Sequence, residues 1–123
     1  MMEIRGKKIR GKEGEELALR YLRDLGYQIL EKNYRRKRKE IDIIALEGKE
    51  LVFVEVKAGK SKAYGEPELR VDNRKQKNLS EVAQAFLAET EVDYESCRFD
   101  VLGVDLSTGK VIHYKGAFVL PAE

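Results

Sequence analysis

Several residue types are scarce in this chain of 123 residues, and each scarcity excludes something. Cys97 is the only cysteine, so no internal disulfide can form, and we expect a small buried hydrophobic group rather than a nucleophile. His113 is the only histidine, which makes a histidine pair, a histidine–metal cage or a Ser–His relay hard to build; we expect it to be structural, on a strand. No apolar run approaches the roughly 20 residues of a membrane span, and residues 1–12 are basic without the apolar stretch of a secretory signal. A cytoplasmic protein is therefore expected.

Charge is plentiful but unevenly distributed. Residues 1–78 carry 21 Lys and Arg against 14 Asp and Glu, a balance of +7, whereas residues 79–123 carry 3 against 8, a balance of −5. A basic front half fits a protein that meets a polyanion with one side. A solvated charged surface would give the same composition, so charge alone leaves both interpretations open.

A length of 123 residues fits one domain, residues 1–123. Hydrophobic periodicity predicts the order helix, three strands, helix, two strands within it. The predicted helices are residues 14–25 and 72–89, and the predicted strands are residues 27–34, 40–46, 51–57, 98–106 and 110–115. The basic run 35–39 is predicted to connect the first two strands, and residues 58–70 to form a long loop. This pattern indicates an α+β or mixed α/β protein whose central sheet is covered by helices.

The polar turn between residues 46 and 51 sets which residues of the two central strands face each other. If the hairpin closes at Leu46 and Leu51, Asp42 lies opposite Glu55 and Glu40 lies opposite Lys57. A slip of one residue would break this pairing. Alternation then predicts one wholly apolar face, made of Ile41, Ile43, Ala45, Val52, Val54 and Val56. The other face carries Glu40, Asp42, Glu55 and Lys57 at the end far from the turn.

Carboxylates at one end of a sheet built to be buried need compensation. A divalent cation with oxygen ligands would provide it, and Mg²⁺ characteristically takes one or two carboxylates plus substrate phosphate. A cross-strand ion pair between Glu40 and Lys57, with Asp42 nearby, would provide it without a metal.

The first helix carries a further carboxylate of interest. A helical wheel places Glu15 within the apolar arc with Leu19 and Leu22, facing the protein, whereas Glu16 faces water. Glu15 either reaches the acids of the sheet or is only a favourable charge in the first helical turn.

An ordered set of short motifs spans residues 11–118. It comprises Gly14-Glu15, Ala18, Tyr21-Leu22, Gly26-Tyr27, Asn33, Glu40-Ile41-Asp42, Val52-Phe53-Val54-Glu55-Val56-Lys57, Tyr64-Gly65, Val71, Lys75, Arg98-Phe99-Asp100 and Ala117-Phe118. Two acidic runs within this set, Glu40-Ile41-Asp42 and Glu55-Val56-Lys57, are separated by twelve residues. Together they resemble the PD-(D/E)XK nuclease signature. The whole set resembles the YraN family, uncharacterised bacterial proteins assigned to the restriction-endonuclease-like fold and related to archaeal Holliday-junction resolvases.

The resemblance implies a three-layer α/β/α fold with a central mixed sheet, and metal-assisted hydrolysis, which has little need of histidine. It implies that Asp42 and Glu55 bind Mg²⁺ or Mn²⁺ with the Val56 carbonyl, and that Glu15 completes the acidic site. Lys57 would position the attacking water or stabilise the charge that develops on the phosphate.

Two positions depart from the family pattern, and both concern phosphate contacts. Lys39 stands where glycine is usual, and Gly59-Lys60 where arginine is usual two residues after Lys57, so Lys60 is the candidate for the missing charge. The expected nucleic-acid surface consists of Arg35, Arg36, Arg38, Lys60, Lys62, Lys75 and Tyr64. Glu40 is expected to have a supporting role beside the acidic site. The Lys75 side chain either reaches inward to a phosphate or extends past the edge of the core so that its ammonium lies in solvent. Tyr64 either stacks on an unpaired base or packs within its loop.

Three functions follow for comparison. The first is an endonuclease that acts on branched or flap DNA, with DNA expected rather than RNA. The second is a nucleic-acid-binding protein that keeps the fold with little catalysis, and the third is an interaction module with a vestigial site. The complete set of Asp42, Glu55 and Lys57 argues against vestigial loss. The analogy with enzymes that pair two sites to cut duplexes or junctions also admits a homodimer.

Overall fold

The computed structural model describes residues 2–60 and 72–118, with side chains from Gly11 onwards. Its elements are α1 (Met2–Asp24), β1 (Gln28–Arg36), β2 (Lys39–Glu47), β3 (Glu50–Gly59), α2 (Asn73–Glu89), β4 (Ser96–Asp105) and β5 (Val111–Phe118). The predicted element order is confirmed. α1 begins well before the predicted residue 14, because the polar segment ahead of it has no apolar stripe that periodicity could detect.

The basic run 35–39 is mostly strand rather than a connection. β1 continues to Arg36 and β2 begins at Lys39, and these two residues pair with each other. Only residues 37 and 38 form the turn, and Lys37 takes a left-handed φ of 59°. Two-residue hairpin turns require such positive φ values, so the predicted connection is reduced to a tight turn. The predicted loop 58–70 likewise loses its first two residues to β3, and residues 61–70 lie outside the described residues.

The five strands form one mixed sheet in the order β1-β2-β3-β4-β5. Neighbouring strands are antiparallel except β3 and β4, which are parallel. Parallel neighbours need a crossover connection, and α2 lies in the segment that makes it. The mixed sheet predicted from the sequence is confirmed.

The register of the β2–β3 hairpin is the predicted one. Leu46 pairs with Leu51 and Ile43 with Val54, where the ladder ends. Beyond that point the Val56 backbone N–H donates a hydrogen bond of 2.8 Å to Asp42 Oδ2. A side-chain carboxylate thus satisfies a strand donor at the place where the ladder has stopped.

Helices cover both faces of the sheet, so the architecture has three layers. One cluster joins Ala18, Leu19 and Leu22 of α1 to Ile43, Ala45, Val52, Val54, Leu102 and Val104. A second cluster joins Leu79, Val82, Ala83 and Phe86 of α2 to Ile41, Ile44, Leu51, Phe53, Phe99, Val101 and Phe118. The prediction of one wholly apolar face is wrong at Ile41, which belongs to the α2 side. Ile41 lies beyond Ile43, the last paired residue of the β2–β3 ladder, and pairs with Tyr34 of β1, which packs on the α2 side as well.

A buried ionic network occupies β4 and β5. Asp100 accepts hydrogen bonds from Arg98 at 2.9 Å and from the Gly116 N–H at 3.0 Å, and its Oδ2 lies 2.6 Å from His113 Nε2. His113 Nδ1 lies 3.0 Å from the Tyr21 hydroxyl. The only histidine therefore lies on a strand, as predicted, with both ring nitrogens engaged in structural contacts. Cys97 is half-buried against the α2-side cluster, where burial raises the pKa of its thiol.

Neither helix of the described part of the chain is long and apolar enough to cross a membrane.

Candidate metal centre

Carboxylates from three elements meet at the end of the β2–β3 hairpin that is far from its turn. Carboxylate oxygens of Glu15 on α1 and of Glu40 and Asp42 on β2 all lie within 4.8 Å of one another. Glu55 on β3 lines the same open cleft as Glu40 and Asp42. The structure therefore brings together the acids that the sequence singled out.

Glu15 reaches the sheet because of the face that α1 buries. Ala18 and Leu22 are fully buried, whereas Glu16 is exposed and Glu15 is half-buried. The prediction that Glu15 faces the protein is confirmed. A carboxylate in this position approaches the acids of the sheet from the α1 layer.

Asn33 links two of these acids, and the sequence analysis gave it no role in the site. Its Nδ2 lies 3.3 Å from each carboxylate oxygen of Glu15 and 3.4 Å from Glu40 Oε2. Its φ of 52° is left-handed, a conformation that asparagine tolerates better than most residues. The available signal was an asparagine within a strand, where this residue type is disfavoured.

The environment of Asp42 is electrostatically unfavourable for its charged form. Burial raises the pKa of Asp42 above its ordinary range, and the carboxylates of Glu55 and Glu15 raise it further. The hydrogen bond from the Val56 N–H opposes this rise without cancelling it. Carboxylates this close resist simultaneous ionisation unless a proton or a cation compensates them.

Lys75 in the first turn of α2 reaches into the cleft. Its Nζ lies 3.2 Å from Glu55 Oε2, and the Glu55 side chain is only 11% exposed. Asp72 caps the helix by accepting a hydrogen bond of 2.8 Å from the Lys75 backbone N–H. Of the two sequence interpretations, the inward one describes the structure, although the contact is with a carboxylate.

The cleft has a volume of about 340 Å³ and both signs of charge on its walls. It is lined by Arg38, Lys39, Glu40, Asp42, Glu55, Val56, Lys75, Asn78 and Leu79. Lys39 also pairs with Glu81 of α2, which ties the start of β2 to that helix. Basic groups therefore flank the acids from the β1–β2 turn and from α2.

The other arginines of the basic turn have different partners. Arg35 Nε lies 2.8 Å from Glu40 Oε1. Arg36 pairs with Glu89 at the end of α2 and lies over the Tyr34 ring, 4.8 Å from its centroid. At 1.5 Å per helical residue, Glu89 is about 20 Å along the helix axis from Lys75. Arg38 is thus brought to the cleft and Arg36 is directed away from it.

Lys57 is half-buried on β3 and is not among the residues that line the cleft. Its neighbours Val56 and Ala58 pack on the α1 side, so alternation places Lys57 on the same face as Glu55.

The expected pairing of Glu40 with Lys57 is wrong, because the ladder stops before these residues and Glu40 pairs with Arg35. Among the described side chains, residues 11–60 and 72–118, Lys57 forms no ion pair. Lys60 is exposed just after β3, and the predicted sites Lys62 and Tyr64 lie outside the described residues.

The fold and the site together define a class of protein: a small three-layer α/β/α domain with a carboxylate-rich cleft at the end of its central hairpin. The chain belongs to the family described as "Uncharacterised protein family UPF0102", which matches residues 14–104. The matched segment contains all four carboxylates of the site.

Several curated relatives carry the same family name. A UPF0102 protein of Persephonella marina is 40% identical over 112 residues, which cover 91% of this chain and 95% of that protein. A UPF0102 protein of Chlorobium chlorochromatii is 45% identical over 116 residues, which cover 88% of this chain and 89% of that one. One from Syntrophus aciditrophicus is 47% identical over 96 residues, which cover 78% and 76%.

Proposed function

We propose that this protein is a metal-dependent nuclease that hydrolyses phosphodiester bonds in branched or flap DNA during repair or recombination. The observation that carries the proposal is the convergence of Glu15, Glu40 and Asp42 within 4.8 Å, beside Glu55. The resemblance of the two acidic runs to the PD-(D/E)XK signature, and of the whole chain to the YraN family, supports the same activity. We further propose that the protein acts in the cytoplasm, and that a homodimer would present two clefts to one DNA substrate.

The donor set suits Mg²⁺ or Mn²⁺. All four side chains offer hard carboxylate oxygens, and Val56 lines the cleft, so its carbonyl would be an additional oxygen donor. Burial, and then repulsion by Glu55 and Glu15, raise the pKa of Asp42, and a divalent cation would relieve this strain. Asp42, Glu55, Glu15 and the Val56 carbonyl would hold the ion, and a bound cation supplies Lewis-acid stabilisation and a more acidic water.

The chain's own cations would complete the chemistry. Lys57 shares the face of Glu55, so its ammonium can orient the attacking water or stabilise charge that develops on the phosphate. Arg38, Lys39 and Lys75 line the cleft and would hold the phosphodiester against the acids.

A non-catalytic nucleic-acid-binding protein is the second candidate. The observation that favours it is the ion pair between Lys75 and Glu55, which neutralises one of the acids without any metal. In that case the basic walls of the cleft would bind phosphate and no bond would be cleaved.

A cleavage panel separates the two candidates. Wild-type protein, Asp42→Asn and the matched control Glu16→Gln are incubated with Mg²⁺ or Mn²⁺ and labelled single strands, duplexes, flaps and four-way junctions. We expect the wild type and the exposed-site control to cleave, and Asp42→Asn to lose about 100-fold or more of the rate. A wild type that binds no Mn²⁺ at millimolar concentration and cleaves no substrate would contradict the nuclease proposal. Metal-independent binding without cleavage would support the second candidate.

A further inference from the structure

We infer that Lys75 is an exchangeable counter-ion: it neutralises Glu55 while the cation site is empty and transfers to a substrate phosphate when the cation binds. The inference rests on the proposed function, because it concerns the same cleft and the same cation. It goes beyond that function by assigning to one helix side chain the coupling between metal binding and DNA binding.

The two partners of this ion pair are unequal in their freedom to move. The Glu55 side chain is 11% exposed and is fixed on a central strand, whereas the Lys75 side chain is 46% exposed on the first turn of a helix. The ammonium of Lys75 is carried on a flexible four-carbon stem. Lys75 is therefore the partner that can leave, and Glu55 is the partner that remains in the site.

The arrival of a divalent cation removes the reason for the contact. Glu55 can direct a given lone pair to the ammonium or to the metal, and a doubly charged ion nearby repels the ammonium. Solvent reaches nearly half of the Lys75 side chain and weakens this ion pair, so a divalent cation would displace the ammonium from Glu55.

The released ammonium remains at the wall of the cleft. Arg38 and Asn78 line the same cleft as Lys75, so a phosphate there would meet two cationic groups and an amide. A phosphate oxygen is the anion that a freed lysine would contact in a DNA complex. Lys75 would then contribute to DNA binding only when the metal has displaced it from Glu55.

This exchange makes metal and DNA affinities mutually dependent. Coupling between two ligands is reciprocal, so metal should strengthen DNA binding by the same factor as DNA strengthens metal binding. Removing the ammonium should raise metal affinity, since a competitor is lost, and should reduce the coupling factor. A purely structural lysine would give neither effect.

The test compares wild type, Lys75→Met, Lys75→Gln and the control Lys77→Met, a neighbouring basic residue of α2 that does not line the cleft. Titration calorimetry measures the affinity of each protein for Mn²⁺ and for Ca²⁺ in the absence of DNA. Fluorescence anisotropy measures the affinity of the same proteins for flap DNA, once in EDTA and once in Ca²⁺. Thermal melting confirms that each variant is folded.

We expect both Lys75 variants to bind Mn²⁺ about two- to fivefold more tightly than wild type, the factor that a partly exposed ion pair contributes. We also expect them to lose most of the Ca²⁺-dependent gain in DNA affinity, while Lys77→Met behaves as wild type. Unchanged or weaker Mn²⁺ binding in both Lys75 variants would overturn the inference, as would an undiminished Ca²⁺-dependent gain or a wild type that binds no Mn²⁺. Coupling without any cleavage would leave the inference standing and refute the nuclease. If the wild type cleaves DNA but both Lys75 variants bind metal and DNA as Lys77→Met does, the inference about Lys75 is refuted and the nuclease proposal stands.

Discussion

Gly14 of α1 lies so close to Ala58 of β3 that a Cβ built on Gly14 would stand 2.4 Å from the Ala58 Cβ. Two Cβ atoms do not approach so closely, so the contact requires glycine at position 14. The next residue along α1 is Glu15. The closeness of helix and strand at this point therefore sets how far Glu15 reaches towards the acids of β2.

We predict that Gly14→Ala separates α1 from β3 and displaces Glu15. Overpacking of this kind lowers the free energy of unfolding by about 1–3 kcal/mol, and Mn²⁺ affinity should fall with it. Adding Ala58→Gly removes the opposing methyl group and should restore much of the metal affinity.

Gly11→Ala is the matched control for this substitution. It lies on the same helix, and a Cβ there would meet nothing within 4 Å. Replacing a helical glycine should stabilise by about 0.5–1 kcal/mol. Denaturant unfolding and calorimetric titration measure both properties, and equal stability of the two alanine variants would contradict the close-contact argument.

We predict that Asp42→Asn stabilises the metal-free protein and abolishes its stabilisation by Mn²⁺. The amide oxygen can still accept the Val56 N–H, but the charge that repels Glu55 and Glu15 is gone. A carboxyl whose pKa is raised in the folded state weakens folding once the pH passes its unfolded value, so the gain should appear at neutral pH and vanish in acid. The pKa of Asp42 is raised to about 8, so at about 1.4 kcal/mol per pKa unit we expect a gain at neutral pH of a few kcal/mol at most.

Calorimetry with EDTA and with Mn²⁺ checks this prediction. The wild type should gain about 2.7 kcal/mol at a Mn²⁺ concentration 100 times its Kd, and Asp42→Asn should gain almost nothing. Lys57→Ala is the complementary variant: it should keep the Mn²⁺-dependent gain and lose about 100-fold in cleavage, because Lys57 serves the transition state. A destabilised Lys57→Ala with no metal effect in the wild type would indicate a purely structural charge cluster.

We predict that the arginine that ends β1, Arg36, and the arginine within the β1–β2 turn, Arg38, differ in DNA binding. Arg38 lines the cleft, so Arg38→Ala should reduce the slope of log affinity against log salt by about 0.9, the loss of one phosphate contact. Arg36 is engaged with Glu89 at the far end of α2, so Arg36→Ala should leave the slope unchanged. Anisotropy titrations over a salt series measure both slopes. Equal losses for the two variants would place the DNA across the turn rather than along the cleft.

We predict that Asp100 contributes stability that is lost in acid. Burial alone would raise the pKa of Asp100, but hydrogen bonds from His113, Arg98 and the Gly116 N–H outweigh burial and hold the pKa below its ordinary value. A depressed pKa gives stability that is complete above the unfolded carboxyl pKa and is lost as the pH falls through the lower folded value.

Asp100→Asn should therefore flatten the acid limb of the stability profile. At neutral pH it should cost about 3 kcal/mol, at the low end for a broken buried pair, because Glu47 and Glu50 still neutralise Arg98. Asp93→Asn is the control, since its side chain is 84% exposed and its Oδ2 contacts Lys49 Nζ at 3.4 Å on the surface. Urea unfolding between neutral pH and strong acid measures the profiles, and parallel curves for wild type and Asp100→Asn would refute the assignment.

The sequence by itself determined those features that depend on local pattern. The period of the apolar residues gave the element order, and Leu19 and Leu22 fixed Glu15 on the inward face of α1. A two-residue turn at Gly48-Lys49, where Gly48 has the positive φ that such turns use, fixed the hairpin register. Register and helix phase are short-range properties, since each is set within a few residues of the chain.

Only the tertiary structure decided which distant groups share the cleft. Asn33 contacts Glu15, 18 residues away, and Lys75 pairs with Glu55 across the β3–α2 connection. The side on which Ile41 packs, and the opposite directions taken by neighbouring basic side chains, depended on where the β2–β3 ladder ends and where α2 lies. These outcomes follow from how helices pack on a twisted sheet, which places groups within a few ångströms of each other irrespective of their separation in sequence.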